Sequence, residues 1–363
     1  MHITRVTLNN YRNYGSLGLD LSPGLNVFSG ENAQGKTNLL EAVYFTGVGR
    51  SMRTPRDKEL IRWGDDMARV RADAVGRYGK SRVEIVLDKR ENKRVAINGA
   101  PVKKLGELMG VIMVVLFSPD EIAIIKEAPG ERRRFIDIAL SQISRPYFYL
   151  LTRYNRILAQ RNRLLKAGSG ADTLDVWDLQ LADSGAKIIK TRKGFIARLN
   201  GLADRNHEYL TAGRERLTLR YESMDGETED EIREKFLSEL KRTREKDVFQ
   251  GYTHVGVQTD DMAVLAGDLD IRKFGSQGQQ RTAALSLKLA QLDLFYEETG
   301  EYPVLLLDDV FSELDETRRD KLTERLSGHQ TIITCTNAQK GLKDVFDQAA
   351  FYRVENGSVT REN

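Results

Sequence analysis

A strand-like alternation of polar and apolar positions opens the chain at His2-Ile3-Thr4-Arg5-Val6-Thr7-Leu8. Similar short apolar runs recur at Val83-Glu84-Ile85-Val86-Leu87 and Arg94-Val95-Ala96-Ile97, and Asn98-Gly99 supplies a tight turn after the second. Turn signals also fall at Ser22-Pro23-Gly24 and Gly76-Arg77-Tyr78-Gly79. The pattern predicts strands, turns and one helix over residues 1–115, with Val111 to Phe117 as a buried strand. The period then changes. After Pro146 no proline occurs until Pro303. Tyr147 to Lys166 carries Phe148, Leu151, Tyr154, Leu158 and Leu165 at helical spacing. Asp172-Thr173 is placed to cap a second helix from Leu174 towards Leu210, roughly 55 Å long if unbroken. Glu229 to Lys246 predicts a third helix. After it come helix Arg281–Tyr296, strand Val304–Leu307, helix Thr317–Leu326 and strand Thr331–Thr334. The expected organisation is an α/β head at 1–115 and 251–363, interrupted by a helical lobe at 116–250.

Composition narrows the class without deciding it. The 363 residues are 40% hydrophobic and 30% charged, as in soluble globular proteins. No apolar run approaches the ~20 residues of a membrane span, and no secretory leader is visible, so no membrane partner and a cytoplasmic location are expected. The lone Cys335 excludes an internal disulfide and a cysteine metal cluster. His2, His207, His254 and His329 show no ligand spacing. The formal net charge of +3 neither requires nor forbids nucleic acid.

The chemistry begins at Gly30-Glu31-Asn32-Ala33-Gln34-Gly35-Lys36-Thr37. The segment follows the strand-like Leu25–Ser29 and precedes the helix-like Asn38–Phe45, the context a phosphate-binding P-loop requires. Gly30 and Gly35 let the backbone N–H groups of Glu31, Asn32, Ala33 and Gln34 face phosphates. Lys36 is expected on the β- and γ-phosphates of ATP, and Thr37 on Mg²⁺. Far downstream, Pro303-Val304-Leu305-Leu306-Leu307 runs into Asp308-Asp309. A buried strand ending in carboxylates suits a metal-linked acid, Asp308, followed by Asp309 as general base towards the attacking water. A third segment, Gly275-Ser276-Gln277-Gly278-Gln279-Gln280-Arg281, precedes a helix. Ser276 is either a plain helix cap or part of an anion site in which Gly278 and Gln279 share.

The third segment resembles the signature motif of ABC-type ATPases, and Ser312-Glu313-Leu314-Asp315 resembles their D-loop. In that class the signature of one subunit closes over the γ-phosphate held by the other, which implies an ATP-dependent homodimer. More specifically the chain resembles the RecF family of SMC-related ABC ATPases, the bacterial recombination mediators. Asn10-Tyr11-Arg12-Asn13-Tyr14, Phe117-Ser118-Pro119-Asp120 with Ala128-Pro129-Gly130-Glu131-Arg132-Arg133-Arg134-Phe135-Ile136-Asp137, and Leu306 to Asp315 carry that resemblance over nearly the whole chain. Departures exist: Glu127 replaces an expected Gly, Thr336 stands at the switch-His position, and Asp309 stands where many relatives have Glu. No Q-loop Gln is evident near Ser118. Together they point to slow hydrolysis. The resemblance implies weak DNA-stimulated ATPase activity and binding of double-stranded and gapped DNA. It also implies work with RecR and RecO to load RecA at single-strand gaps, in repair, replication restart and the SOS response.

Basic residues offer a DNA surface: Arg153, Arg156 and Arg161, with Arg163 and Lys166, on one predicted helix, and Lys187, Lys190 and Arg192, with Lys193 and Arg198, on the next. Solvated helix faces explain the same residues. Arg50 and Arg53 fit DNA or a γ-phosphate equally. Two other classes compete with an ATP-gated DNA clamp. A transporter ATPase is disfavoured by the helical insert and the missing switch His, and a small-molecule kinase by the signature segment.

Overall fold

The computed structural model describes residues 1–168, 171–336 and 349–362. The opening alternation becomes β1 (His2–Tyr11), which forms a hairpin with β2 (Tyr14–Asp20). A register shift between Ile3 and Arg5 explains why Ile3 and Val6, three apart, both point into the core. The fully buried β3 (Leu25–Ser29) leads into α1 (Lys36–Val48). Next come β4 (Met67–Gly76), β5 (Gly79–Asp88), β6 (Arg94–Ile97) and β7 (Ala100–Pro101). With the first hairpin they make an antiparallel sheet in the order β2-β1-β4-β5-β6-β7. Asn98 and Gly99, with φ of 52° and 84°, form the tight turn the sequence predicts. One face of this sheet packs on α1 in a single core that includes Leu8, Phe45, Val70 and Ile85.

The apolar run after residue 110 turns through Val111–Met113 before pairing as β8 (Val114–Phe117). A short α2 (Ala123–Lys126) precedes α3 (Pro129–Ile143) and α4 (Arg145–Lys166). The long helix is real: α5 runs from Ala171 to Thr211, 41 residues, or about 60 Å. Then follow β9 (Leu217–Glu222), α6 (Glu229–Arg242) and α7 (Arg244–Gln250). The single helix expected over Glu229–Lys246 is thus broken at Thr243.

Beyond it lie β10 (Asp261–Ala266), β11 (Leu269–Asp270), α8 (Ile271–Phe274) and α9 (Gln277–Thr299). Strand β9 pairs antiparallel with β10, and α9 lies along α5. The boundary expected at 250 therefore falls between two hydrogen-bonded strands, and the helical layer continues through α9.

The chain returns to its central sheet with β12 (Val304–Asp308), α10 (Glu316–Glu324), β13 (Thr331–Cys335), β14 (Ala350–Glu355) and β15 (Ser358–Glu362). The strand order is β15-β14-β3-β13-β12-β8, with the four pairings from β14 to β8 parallel and the β14–β15 hairpin antiparallel. Strands β3, β12 and β13 are buried along their whole length, as expected of parallel strands covered on both faces. Their carboxyl ends all emerge at one edge, where open α/β sheets bind ligands.

Candidate nucleotide-binding site

The loop from Gly30 to Thr37 leaves the carboxyl end of β3 and is gripped from both sides. A Cβ on Gly30 would lie 2.3 Å from Val354 O, and one on Gly35 (φ 119°) 2.6 Å from Asn13 Nδ2, so both positions need glycine. Gln34 O accepts from Asn13 Nδ2 (2.8 Å) and Gly357 N (3.1 Å), while Gln34 Oε1 accepts from Asn356 N (2.6 Å). Tyr14 OH donates to Gly35 O at 2.9 Å. Glu31, Asn32 and Ala33 are exposed. No side chain among the described residues caps α1, so its first N–H groups remain available to an anion. Lys36 Nζ folds back onto Gly30 O (2.6 Å) and Glu31 O (2.7 Å), and burial pushes its pKa down against the pull of Asp309 and Asp308.

The parallel register sets the acidic half. Asp308 lies opposite Thr334 on β13. Asp308 Oδ1 accepts from Thr37 Oγ1 (3.0 Å) and Thr334 Oγ1 (2.6 Å). Burial raises the Asp308 pKa; the two hydroxyls oppose that, and neighbouring Asp309 adds to it. Asp309 adopts φ 51°, held there by its N–H, which points at Thr334 O (3.1 Å) and Oγ1 (3.1 Å). Thr37 and Asp308 thus bring a hydroxyl and a carboxylate oxygen together, a donor set that fits a hard cation such as Mg²⁺. Lys36, Thr37, Arg53, Asp308, Asp309 and Thr334 all face one cleft of about 960 Å³, large enough for a nucleotide.

Ser276, Gly278 and Gln279 do not line that cleft. Ser276 is exposed at the tip of α9, where Ser276 Oγ accepts from Gln279 N (3.2 Å) and Gln279 Oε1 accepts from Ser276 N (2.9 Å), a reciprocal cap. The structure therefore gathers Lys36, Thr37, Asp308 and Asp309 and leaves the serine tip apart from its own P-loop.

The roles of four residues escaped the sequence reading. Thr334 shows only as a hydroxyl ending an apolar strand. Arg12 clamps the fully buried Glu41 through Nε (2.8 Å) and Nη2 (3.0 Å), and Ser51 Oγ donates to Glu41 Oε1 (2.5 Å). That trio ties the first hairpin to α1 behind the P-loop.

The basic residues divide. Arg153 and Arg156 are exposed on α4. Lys187 is exposed and paired with Asp183 (3.3 Å), and Lys190 Nζ donates to Glu227 O. Arg161 and Arg192 must be withdrawn as DNA contacts. Arg161 is fully buried and ion-paired with Asp178 (2.6 Å) and Asp247 (2.8 Å). Arg192 is 1% exposed between Asp137 (2.7 Å) and Asp260 (3.2 Å). The cause is helical phase: Arg161 shares its face with Tyr154, Ile157 and Leu165, all in the core, and buried charges persist only when paired. Among the described residues no helix is long and apolar enough to cross a membrane.

Comparison with known proteins follows the same lines. A family described as the RecF/RecN/SMC N terminal domain matches residues 2–360. The chain is 46% identical over 375 residues to the DNA replication and repair protein RecF of Halothermothrix orenii, covering 99% of each chain. It is 42% identical over 364 residues to that of Clostridium perfringens, again covering 99% of each. A solved structure of the recombination mediator protein RecF-ATP in the RecFOR pathway superposes with a TM-score of 0.93 at 35% identity, over 100% of this chain and 98% of that one. An Smc head bound to a ScpA domain matches with a TM-score of 0.59 at 16% identity, over 100% and 97%, and so shares the fold alone. Matched by the family over residues 2–360 and similar to RecF proteins along its whole length, the chain belongs to the RecF family, within the RecF/RecN/SMC group of ABC-type ATPase heads.

Proposed function

We propose that the chain is an ATP-dependent DNA-binding recombination mediator that dimerises on ATP and is released by slow hydrolysis. The observation that carries this reading is the separation of the exposed Ser276 tip from the Lys36–Thr37–Asp308 cleft. An uncapped phosphate loop in one place and an exposed, serine-tipped helix start in another make sense when two copies face each other.

In each site Lys36 moves from its backbone carbonyls to the β- and γ-phosphates, and the N–H groups at the start of α1 take the phosphate oxygens. Thr37 and Asp308 would hold Mg²⁺, which would supply neutralisation of charge developing on those oxygens. Asp309, one residue beyond the strand, orients the water and accepts its proton. Ser276, Gly278 and Gln279 of the other copy cap the γ-phosphate. An Asp in place of a longer Glu leaves the base further from its water, consistent with a timing device.

The relatives' printed names support a role in DNA replication and repair and place RecF in the RecFOR pathway, and with that pathway we take RecR and RecO as partners; RecA loading as the outcome and double-stranded and gapped DNA as the substrate are further parts of the proposal. Arg153, Arg156, Lys187 and Lys190 remain the proposed phosphate contacts. Light scattering with and without ATP tests the reading. The chain should dimerise only with ATP, and Ser276→Arg should stay monomeric while binding nucleotide normally. A chain that remains monomeric with ATP and Mg²⁺ at high concentration overturns it.

A further inference from the structure

Glu215 sits on the turn between α5 and β9, outside every motif singled out in the sequence. Its backbone is held by Thr211, whose Oγ1 accepts from Glu215 N at 3.4 Å. One carboxylate oxygen, Oε1, accepts from Gln279 Nε2 at 3.0 Å. The other, Oε2, lies 3.5 Å from His207 Nε2. His207 is fully buried on α5 and its Nε2 has no hydrogen-bond partner among the described residues, while its Nδ1 meets Ser286 Oγ at 3.0 Å. Ser286 and Gln279 both belong to α9. The carboxylate is therefore bracketed between the α5–α9 core and the outer tip of α9.

The chemistry of that bracket fixes an orientation. An amide side chain can present either its oxygen or its NH₂ group, and the two choices are nearly equal in shape. A carboxylate only accepts, so Gln279 must turn its NH₂ group to Glu215. Its oxygen is then left facing Ser276 N, the bond that closes the cap. With the opposite flip, two donors would meet at Ser276 N and the cap would open.

We propose that Glu215 is a positioning residue for the signature segment: by selecting the Gln279 amide orientation it holds Ser276 in the geometry that receives the partner copy's γ-phosphate. This rests on the dimer reading above. Ser276 Oγ already accepts from Gln279 N, so its own proton is free to point outward to an anion. Loss of the clamp lets the first turn of α9 fray and spreads that proton over several directions.

Three substitutions of Glu215, compared in the full chain, test the role. Glu215→Ala removes the acceptor and should weaken ATP-dependent dimerisation ~10-fold or more, the scale of a lost hydrogen bond to a charged group. Glu215→Lys replaces the acceptor with a donor, turns the Gln279 oxygen away from Ser276 and should be worse than Ala. Glu215→Gln keeps an accepting oxygen and should restore most of the dimerisation. ATP affinity of the dilute monomer should stay within about twofold throughout, because the P-loop is untouched. A merely structural role would instead lower thermal stability in step with dimerisation. Native protein and Ser276→Arg serve as controls. If ATP fails to dimerise the native chain, the dimer reading falls and the role of Glu215 with it. If the controls behave and the Ala and Lys variants dimerise like the native chain, or Gln fails as badly as Ala, the role of Glu215 alone is overturned.

Discussion

Thr334 Oγ1 donates a 2.6 Å hydrogen bond to the Asp308 oxygen that also accepts from Thr37. This bond helps keep a buried carboxylate ionised against a pKa that burial drives up and Asp309 pushes in the same direction. Thr334→Val removes a donor from the charged form, so the Asp308 pKa should rise further. On the proposed role of the Asp308 carboxylate in holding Mg²⁺, activity should fall as pH drops through that pKa. The acidic limb of the kcat profile should accordingly move to higher pH in the variant, with little change at pH 9. An unshifted limb shows that Thr334 does not tune Asp308.

Lys36→Ala should lower ATP affinity by ~10- to 100-fold, as removal of a charge-assisted phosphate contact does. The fold should survive, since the Lys36 ammonium hydrogen-bonds the loop carbonyls of Gly30 and Glu31. Differential scanning calorimetry with and without ATP checks both points. The apo Tm should hold, and the ATP-dependent rise should shrink.

Arg161 and Arg153 stand eight positions apart on α4 yet should behave oppositely. Arg161→Met takes the shared guanidinium from the buried Asp178 and Asp247, which keep Arg244 and His254, and should cost ~3 kcal/mol in urea unfolding, the low end for a broken buried pair. Arg153→Ala, alone or with Arg156→Ala, should leave stability within ~0.5 kcal/mol. The double variant should weaken DNA binding and flatten its salt dependence by roughly two phosphate contacts. Unchanged salt slopes would place the DNA surface elsewhere.

Stability should fall on mild acidification because of His329. Burial, aided by Arg325, lowers its pKa from 6.5 to about 4. Below pH 6.5 the unfolded chain takes up a proton that the folded chain refuses until about pH 4, so stability declines across that window and is unaffected above it. Between pH 7 and 5 the loss from this group is roughly 2 kcal/mol. His329→Asn should be less stable at pH 8 but show a flatter profile from pH 7 to 5. Parallel profiles would show that His329 is not the group responsible.

The nucleotide half of the site was legible because its chemistry is local. Gly30, Gly35, Lys36 and Thr37 lie within one loop, and Asp308 ends an unmistakably buried strand. Thr334 was not legible, because its meaning comes from the parallel register that sets it opposite Asp308. Arg161 and Arg192 looked like surface charge for a similar reason. Their partners Asp247 and Asp260 lie 86 and 68 residues away, and only the folded α4–α5–α7 and α5–β10 neighbourhoods bring them together. The pairing of β9 with β10 across position 250 was hidden on the same non-local ground.

Residues 354–357 brace the phosphate loop against the first hairpin, with Asn356 reaching Gln34 across 322 positions of sequence. A ribosome building this chain has threaded out the first hairpin, the P-loop, the entire helical lobe and Asp308 before that brace exists. Loop-closure entropy makes so distant a contact a late one. Competence to hold ATP is thereby tied to completion of the head, and a stalled or truncated product ending before Ala350 carries the P-loop residues without the support that shapes them.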